Sequence, residues 1–179
     1  MKKIVFAIAI VAASLAADAQ KGKNEIGVGV EVGLPIGDFK DAGFNTGFGG
    51  SVKGLFGIGT AGQITGTVGY TSFKLDGSTD DAKFTATILP IMVGYRHNLS
   101  GFYLEPQIGY GIYGAKLTID GESESDSEGA FTYAAGVGFA KSGFDIGARY
   151  QAGSKDGSTT SIIGFRIGYN FSLGGSASK

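Results

Sequence analysis

Hydrophobic and polar positions alternate along this chain with a period of two. Residues 26–34 read Ile-Gly-Val-Gly-Val-Glu-Val-Gly-Leu. Ile26, Val28, Val30, Val32 and Leu34 share one side of an extended strand, and Gly27, Gly29, Glu31 and Gly33 the other, because successive strand side chains point to opposite faces. The first strand is expected over about 24–35, and the alternation recurs at about 47–59, 62–74, 84–96, 101–116, 130–140, 143–152 and 161–173. In the last segment Ile163, Phe165, Ile167, Tyr169, Phe171 and Leu173 oppose Gly164, Arg166, Gly168 and Asn170. This pattern predicts an all-β chain, eight antiparallel strands closed up-and-down into a transmembrane β-barrel.

The connections alternate in length. Those at Gly59-Thr60-Ala61-Gly62, His97-Asn98-Leu99-Ser100 and Lys141-Ser142-Gly143 are short, whereas 36–46, 75–83, 117–129 and 153–160 are longer and rich in Gly, Ser, Asp and Lys. Short periplasmic turns and longer outer loops mark outer-membrane barrels. An exported chain starts inside, so the first strand runs outward and every long connection lands outside. The parity holds for all eight strands. Pro90 and Pro106 fall in neighbouring strands and cannot donate ladder hydrogen bonds. They are expected close to each other, with a bulge or local weakness there.

A period of two does not say which face is outside. A soluble calycin-type ligand-binding barrel would turn its apolar face inward. Against that reading, the polar face is crowded with glycine, which suits the narrow interior of eight strands. The apolar face carries aromatics near the strand ends: Phe56, Tyr95, Phe102, Phe139, Phe144, Tyr169 and Phe171 at the turn side, and Phe48, Tyr70, Tyr110, Phe131, Tyr133 and Tyr150 at the loop side. The chain has no Trp, so a lipocalin-type Gly-x-Trp is impossible. Glu31, Lys53, Arg96, Glu105, Asp145, Arg149 and Arg166 all fall on the glycine-rich face. A lipid-facing Lys or Arg costs about 2–4 kcal/mol near the midplane, whereas inside the barrel these groups pair. The seven are the candidate lumen charge network.

The N-terminus is a separate element. Lys2 and Lys3 precede an apolar run from Ile4 to Leu15, and Ala17-Asp18-Ala19 is an A-x-A site. This predicts a signal peptide over 1–19, cleaved after Ala19, and a barrel domain over 20–179. The run is shorter than the ~20 residues of a spanning helix. With no Cys, lipoprotein processing, disulfides and thiolate metal sites are excluded. The net charge of −1 provides no field to draw in nucleic acid.

His97 is the only histidine and falls in a predicted periplasmic turn, so a His-dependent triad or His-rich metal site on the outer face is excluded. The acidic run Asp120, Glu122, Glu124, Asp126 and Glu128 reads as a solvated, self-repelling loop, with Ca²⁺ or Mg²⁺ bridging to lipopolysaccharide phosphates as the alternative. The stretch 76–81 is a weaker calcium-loop candidate, because it lacks a downstream bidentate Glu. No cofactor, metal site or catalytic residue is assigned.

Three stretches carry a family resemblance: Leu34-Pro35-Ile36-Gly37-Asp38-Phe39, 102–111 (FYLEPQIGYG) and Phe165-Arg166-Ile167-Gly168-Tyr169-Asn170-Phe171. The chain resembles the small eight-stranded outer-membrane barrels: the OmpX/Ail/opacity type, the OmpA transmembrane domain and the outer membrane protein β-barrel domain families, which include relatives of the PorT secretion component. The last strand also resembles the C-terminal signal read by the barrel-assembly machinery, with Arg166, Gly168, Phe171 and Leu173 in its positions. The tail Gly174–Lys179 departs from that signal. The resemblance implies a non-enzymatic, monomeric protein in the outer membrane of a Gram-negative-type envelope. It would contact membrane lipid and lipopolysaccharide, insert through the assembly machinery, and act through surface loops in adhesion or as a structural envelope protein. No OmpA-type peptidoglycan anchor is expected. A narrow pore, a secretion-machinery component and the soluble barrel are the alternatives.

Overall fold

The structure is a computed structural model that describes residues 23–78, 82–120, 122–155 and 157–173. The predicted signal peptide and the tail 174–179 lie outside the described residues. The eight strands are β1 (Glu25–Ile36), β2 (Gly47–Ile58), β3 (Gly62–Lys74), β4 (Ala82–Leu99), β5 (Phe102–Ile119), β6 (Glu122–Lys141), β7 (Phe144–Lys155) and β8 (Ser158–Ser172). A four-residue helix, α1 (Asp38–Asp41), interrupts the β1–β2 connection. Each strand pairs antiparallel with its sequence neighbours, and β1 pairs with β8 to close the ring.

Register fixes the barrel's dimensions. Paired residues lead from Ile26 through Gly54, Gly66, Val93, Ile108, Tyr133, Ala152 and Ser161 back to β1 at Ile36. The circuit returns ten residues along β1 from its start. With ~3.3 Å per residue and ~4.8 Å between strands, that stagger means a tilt of about 40° and a backbone radius of about 8 Å. Such an interior is filled by its own side chains.

The turns follow from local chemistry. Ser100-Gly101 and Ser142-Gly143 join β4 to β5 and β6 to β7, with φ of 54° and 104°, and 52° and 89°. Two consecutive positive φ values make a type I′ turn, whose twist matches the flanking strands. On the opposite side Asp120-Gly121 and Asp156-Gly157 join β5 to β6 and β7 to β8. Asp120 has φ 48° and Gly157 φ 84°.

Those two hairpins correct the expected loops. The strand ladder continues to Ile119↔Glu122 and to Lys155↔Ser158. The acidic run Glu122–Glu128 is therefore strand, not a solvated loop. Its Glu/Ser alternation is polar on both faces, so no hydrophobic period announced it. β4, β5 and β6 consequently outrun the other strands and rise above the loop-side rim. From Tyr110 to Ile119 the rise is about 22 Å at the barrel's tilt.

The prolines meet the expectation in part: they are not close together, but the local weakness is present at each. Pro90 faces Gly111, and Pro106 lies five residues along β5 from Gly111, about 16 Å away. The β4–β5 register stays constant past both, so there is no bulge. The expected local weakness takes the form of a lapse in the ladder, opposite Pro90 on β3 and opposite Pro106 on β4. His97 belongs to the end of β4 rather than to the turn, beside the Tyr95 hydroxyl.

Burial decides polarity. The apolar face is exposed over its whole height, with Val30 66% and Val93 61% accessible. The predicted outward aromatics point the same way, from Phe102 and Phe144 to Phe48 and Tyr110. The inner face is polar and buried. Such a surface is unfavourable in water and matched to lipid. The soluble, apolar-inside barrel is excluded.

An apolar cap closes the loop side. Phe73, Ala86, Ile88 and Ile162 are inward-facing and buried, and Phe39 of α1 packs onto them with Phe44 and Tyr113 alongside. The Phe39 ring lies 5.1 Å from Phe73 and 4.6 Å from Phe44. The β1–β2 connection is tied to the β3–β4 connection by Asn45 N–H donating to Lys74 O and Asp76 N–H donating to Gly43 O, both 2.9 Å.

Candidate functional site: a charged lumen beneath an acidic outer sheet

Adjacent strands set the charged side chains at similar heights. Glu105 on β5 collects five donor bonds. Lys53 Nζ reaches its two oxygens at 2.8 and 3.0 Å, Arg96 Nε at 2.8 Å, Thr65 Oγ1 at 3.1 Å and Gln107 Nε2 at 2.7 Å. Arg96 extends to a second acid, donating from Nη1 to Asp145 at 2.8 Å. Tyr103 O–H donates to the other Asp145 oxygen at 2.8 Å, and Asn170 Nδ2 donates to Asp145 at 3.1 Å. The Arg96 guanidinium lies 3.6 Å from the Tyr103 ring centroid. Lys53, Glu105, Arg96 and Asp145 thus form one chain of ion pairs across the lumen.

Two further bases lie around it. Arg149 Nη2 donates to Glu31 at 2.9 Å. Arg166 Nε donates to Ser51 at 3.0 Å, and its Nη1 is 3.7 Å from Asp145. Six of the seven candidates are at most 6% exposed, and the Arg149 side chain is 12% exposed. Burial of this depth requires pairing, because an unpaired ion in a low-dielectric interior costs several kcal/mol.

Glycine makes room for these side chains. A Cβ at Gly29 would fall 2.9 Å from Arg166 Cζ, and one at Gly168 would fall 2.7 Å from Arg166 Nη1. The guanidinium lies flat on that floor. Gly138 and Gly147 likewise lie against Tyr103, and Gly33 and Gly47 against Phe73. Of the candidate assembly-signal residues, Phe171 and Leu173 face outward and are exposed, whereas Arg166 is buried in the lumen and Gly168 lies beneath it.

Three spaces divide the axis. A vestibule of about 930 Å³ opens at the turn side and ends at Arg96 and Asn170. A cavity of about 30 Å³ lies among Glu31, Lys53, Tyr103, Glu105, Arg149 and Arg166. A third, of about 280 Å³, lies at the loop side between Phe39, Ile88 and Tyr113 and the acids Asp126 and Glu128. Glu128 is bonded by Lys155 Nζ at 2.7 Å. Among the described residues no group of three or more His, Cys, Asp or Glu converges as a metal site would. The stretch 76–81 lies partly outside the described residues.

Sequence parity found the seven charges but not their partners. It missed the roles of Tyr103, Asn170, Gln107 and Thr65, which share the inner-face parity and complete the network. It also missed the aromatic cap, although inner-face Phe73 in line with Thr71 was a signal.

A closed eight-stranded barrel that buries its charges and displays aliphatic and aromatic side chains is a membrane-spanning barrel of the outer-membrane type. The chain belongs to the outer membrane protein beta-barrel domain family, whose model matches residues 5–171. Its fold is similar to that of Ail, the attachment invasion locus protein of Yersinia pestis, in complex with the heparin analogue sucrose octasulfate. That match has a TM-score of 0.66 and 22% identity, and covers 85% of this chain and 100% of Ail. The N-terminal β-barrel domain of Pseudomonas aeruginosa OprF gives 0.57 at 14% identity, with 84% and 100% covered. Neisserial surface protein A gives 0.54 at 13% identity, with 84% and 96% covered. No curated protein matches the chain.

Proposed function

We propose that this chain is a non-enzymatic, monomeric barrel of a Gram-negative-type outer membrane. In this reading it is closed through its lumen and acts by its outer face, either binding a surface partner or supporting the envelope. The observation that carries this reading is the doubly blocked axis. A network of buried ion pairs crosses the lumen and an aromatic cap covers its outer mouth. With the interior filled, the free chemistry lies on the β4–β6 sheet above the rim. Residues 1–19 serve as the export signal, and the assembly machinery reads outward Phe171 and Leu173 together with Gly168 and Arg166.

The outer sheet also indicates the kind of partner. Asp120, Glu122, Glu124, Asp126 and Glu128 outnumber Lys83, Lys116 and Lys155 on the protruding strands. Ail was solved with a sulfated ligand. A polyanion of that kind would meet like charge here, so a cationic partner fits this face better. The test is retention of intact cells displaying the barrel on surfaces coated with cationic or sulfated polymers. Retention on the cationic surface should fall when Glu122, Glu124 and Asp126 are changed to Ser. Equal retention of wild type and variant would defeat the reading. Planar-bilayer recording addresses the pore alternative, and steady open conductance would favour it.

A further inference from the structure

We propose, resting on the outer-face reading above, that the axis-facing side of the protruding β4–β6 sheet docks a cationic amphipathic helix of a partner polypeptide. The first observation is that the two faces of this sheet differ. The parity that turns Ile88 and Tyr113 inward continues above the rim. On β6 it turns Glu122, Glu124, Asp126 and Glu128 to that side, directly opposite Ile119, Leu117, Ala115 and Tyr113 of β5. Lys83, Lys116, Thr118, Ser123 and Ser125 point the other way. One face therefore sets an apolar column beside an acidic column, and the other is basic and hydroxyl-bearing. Lys155 already pairs with Glu128, the lowest of the four acids.

The second observation is that the barrel gains nothing from this face. Cross-strand pairs stabilise a sheet where apolar meets apolar or opposite charges meet. Here acids stand across from Leu117 and Ile119, and successive acids about 7 Å apart on β6 repel one another. Leu117 and Ile119 stay 39% and 50% exposed. Leu117 stands about 18 Å above Tyr110 and faces the barrel axis, out of reach of membrane lipid. Phe44 covers only the foot of the face, with its ring 5.8 Å from that of Phe84. A second copy of the chain would bring acid against acid, whereas a basic partner complements the column.

The third observation is shape. From Tyr113 to Ile119 the columns run about 20 Å, the length of a helix of about 13 residues. Three strands span about 10 Å, close to the diameter of a helix, and a sheet face packs against a helix layer. At the foot of the columns the cavity of about 280 Å³ lies between Phe39, Ile88 and Tyr113 on one side and Asp126 and Glu128 on the other. A Lys or Arg of the helix would lay its apolar stem on the rings and its charge beside Asp126. That carboxylate accepts only the Ser127 N–H among the described residues. The helix's apolar side chains would cover Leu117 and Ile119, and its remaining bases would reach Glu122 and Glu124.

The test uses the full barrel in nanodiscs of zwitterionic lipid. The probe is a synthetic Leu/Lys peptide of about 14 residues that forms an amphipathic helix and carries one Trp. The chain has neither Cys nor Trp, so bimane on a single introduced cysteine reports the peptide by quenching. Bimane at position 122, on the acidic face, should be quenched, and bimane at position 123, on the opposite face, much less. L117T/I119T leaves the charge unchanged and should weaken binding at least about tenfold. A Ser/Lys peptide of the same charge should also bind at least about tenfold more weakly than the Leu/Lys peptide. Equal binding by wild type and L117T/I119T overturns the proposal, as does equal affinity of the two peptides. So does equal quenching at 122 and 123. If L117T/I119T does not fold, the quenching and the peptide comparison decide. Should these results go against the helix while cells still bind the cationic surface through Glu122, Glu124 and Asp126, the outer-face reading stands and this proposal alone falls.

Discussion

Replacing Glu105 with Gln tests whether ion pairing holds the lumen together. Glu105 is 3% exposed and accepts both Lys53 bonds and one from Arg96. E105Q nearly preserves volume while leaving Lys53 buried without its acid. Breaking a buried pair from one side costs about 3–5 kcal/mol. K53M removes the base and leaves Glu105 with Arg96 and the neutral donors Thr65 and Gln107, at about 1–3 kcal/mol. Were the two effects independent, the double variant would lose about 4–8 kcal/mol. Pairing predicts about 1–3 kcal/mol instead, because K53M leaves no cation at that position in need of a partner and Arg96 keeps Asp145. Equilibrium urea unfolding of the four proteins in lipid vesicles measures the cycle. A coupling of at least about 2 kcal/mol is expected. Coupling within about 0.5 kcal/mol of zero would refute the pairing argument, because it would mean that Lys53 and Glu105 are solvated independently.

Other parts of the structure give separate expectations. V93K puts a cation on the lipid face near mid-height and should cost about 2–4 kcal/mol in vesicle unfolding, whereas I119K, at the hairpin tip, should cost less than about 1 kcal/mol. F39A removes the keystone of the aromatic cap and should open the β1–β2 connection to trypsin at Lys40 on intact cells, with little change in global unfolding. G49A would drive a Cβ into the Tyr70 carbonyl and should cost about 3 kcal/mol, read by the same unfolding assay. F171A/L173A should slow insertion by the assembly machinery while leaving the lumen contacts of Arg166 and Gly168 in place. Equal membrane yield of that variant and wild type would remove the signal reading.

The membrane span of the fold was legible because lipid imposes a strict rule. Every residue from Ile26 to Leu34 must alternate, and β8 obeys the same rule from Ile163 to Leu173. Above the rim the rule lapses. Glu122–Glu128 meets water on both faces, so its strand state rests on backbone pairing with β5, next to the sequence Asp120-Gly121. That dipeptide is a hairpin signal in its own right, and so is Asp156-Gly157. Parity gave the face of each charge but not its partner. Glu31 is directly opposite Arg166 in the β1–β8 ladder, yet its bond comes from Arg149 on β7. That choice depends on the ten-residue stagger, which is the outcome of eight pairings and is visible in no single segment. The cap was hidden for a related reason. Phe39 lies in a connection with no periodicity, and only closure of the ring brings it over Phe73.

The inside-out polarity and topology of the barrel underlie every other claim, and the absence of cysteine makes them directly testable. Single cysteines at Ser125, Thr60 and Val93 would be probed with a membrane-impermeant maleimide, first on intact cells and then after permeabilisation. Cysteine at 125 should react on intact cells, and cysteine at 60 only once the outer membrane is breached. Cysteine at 93 should react in neither state. Labelling at 60 but not at 125 on intact cells would invert the topology. Ready labelling at 93 in the folded protein would contradict the lipid-facing surface itself.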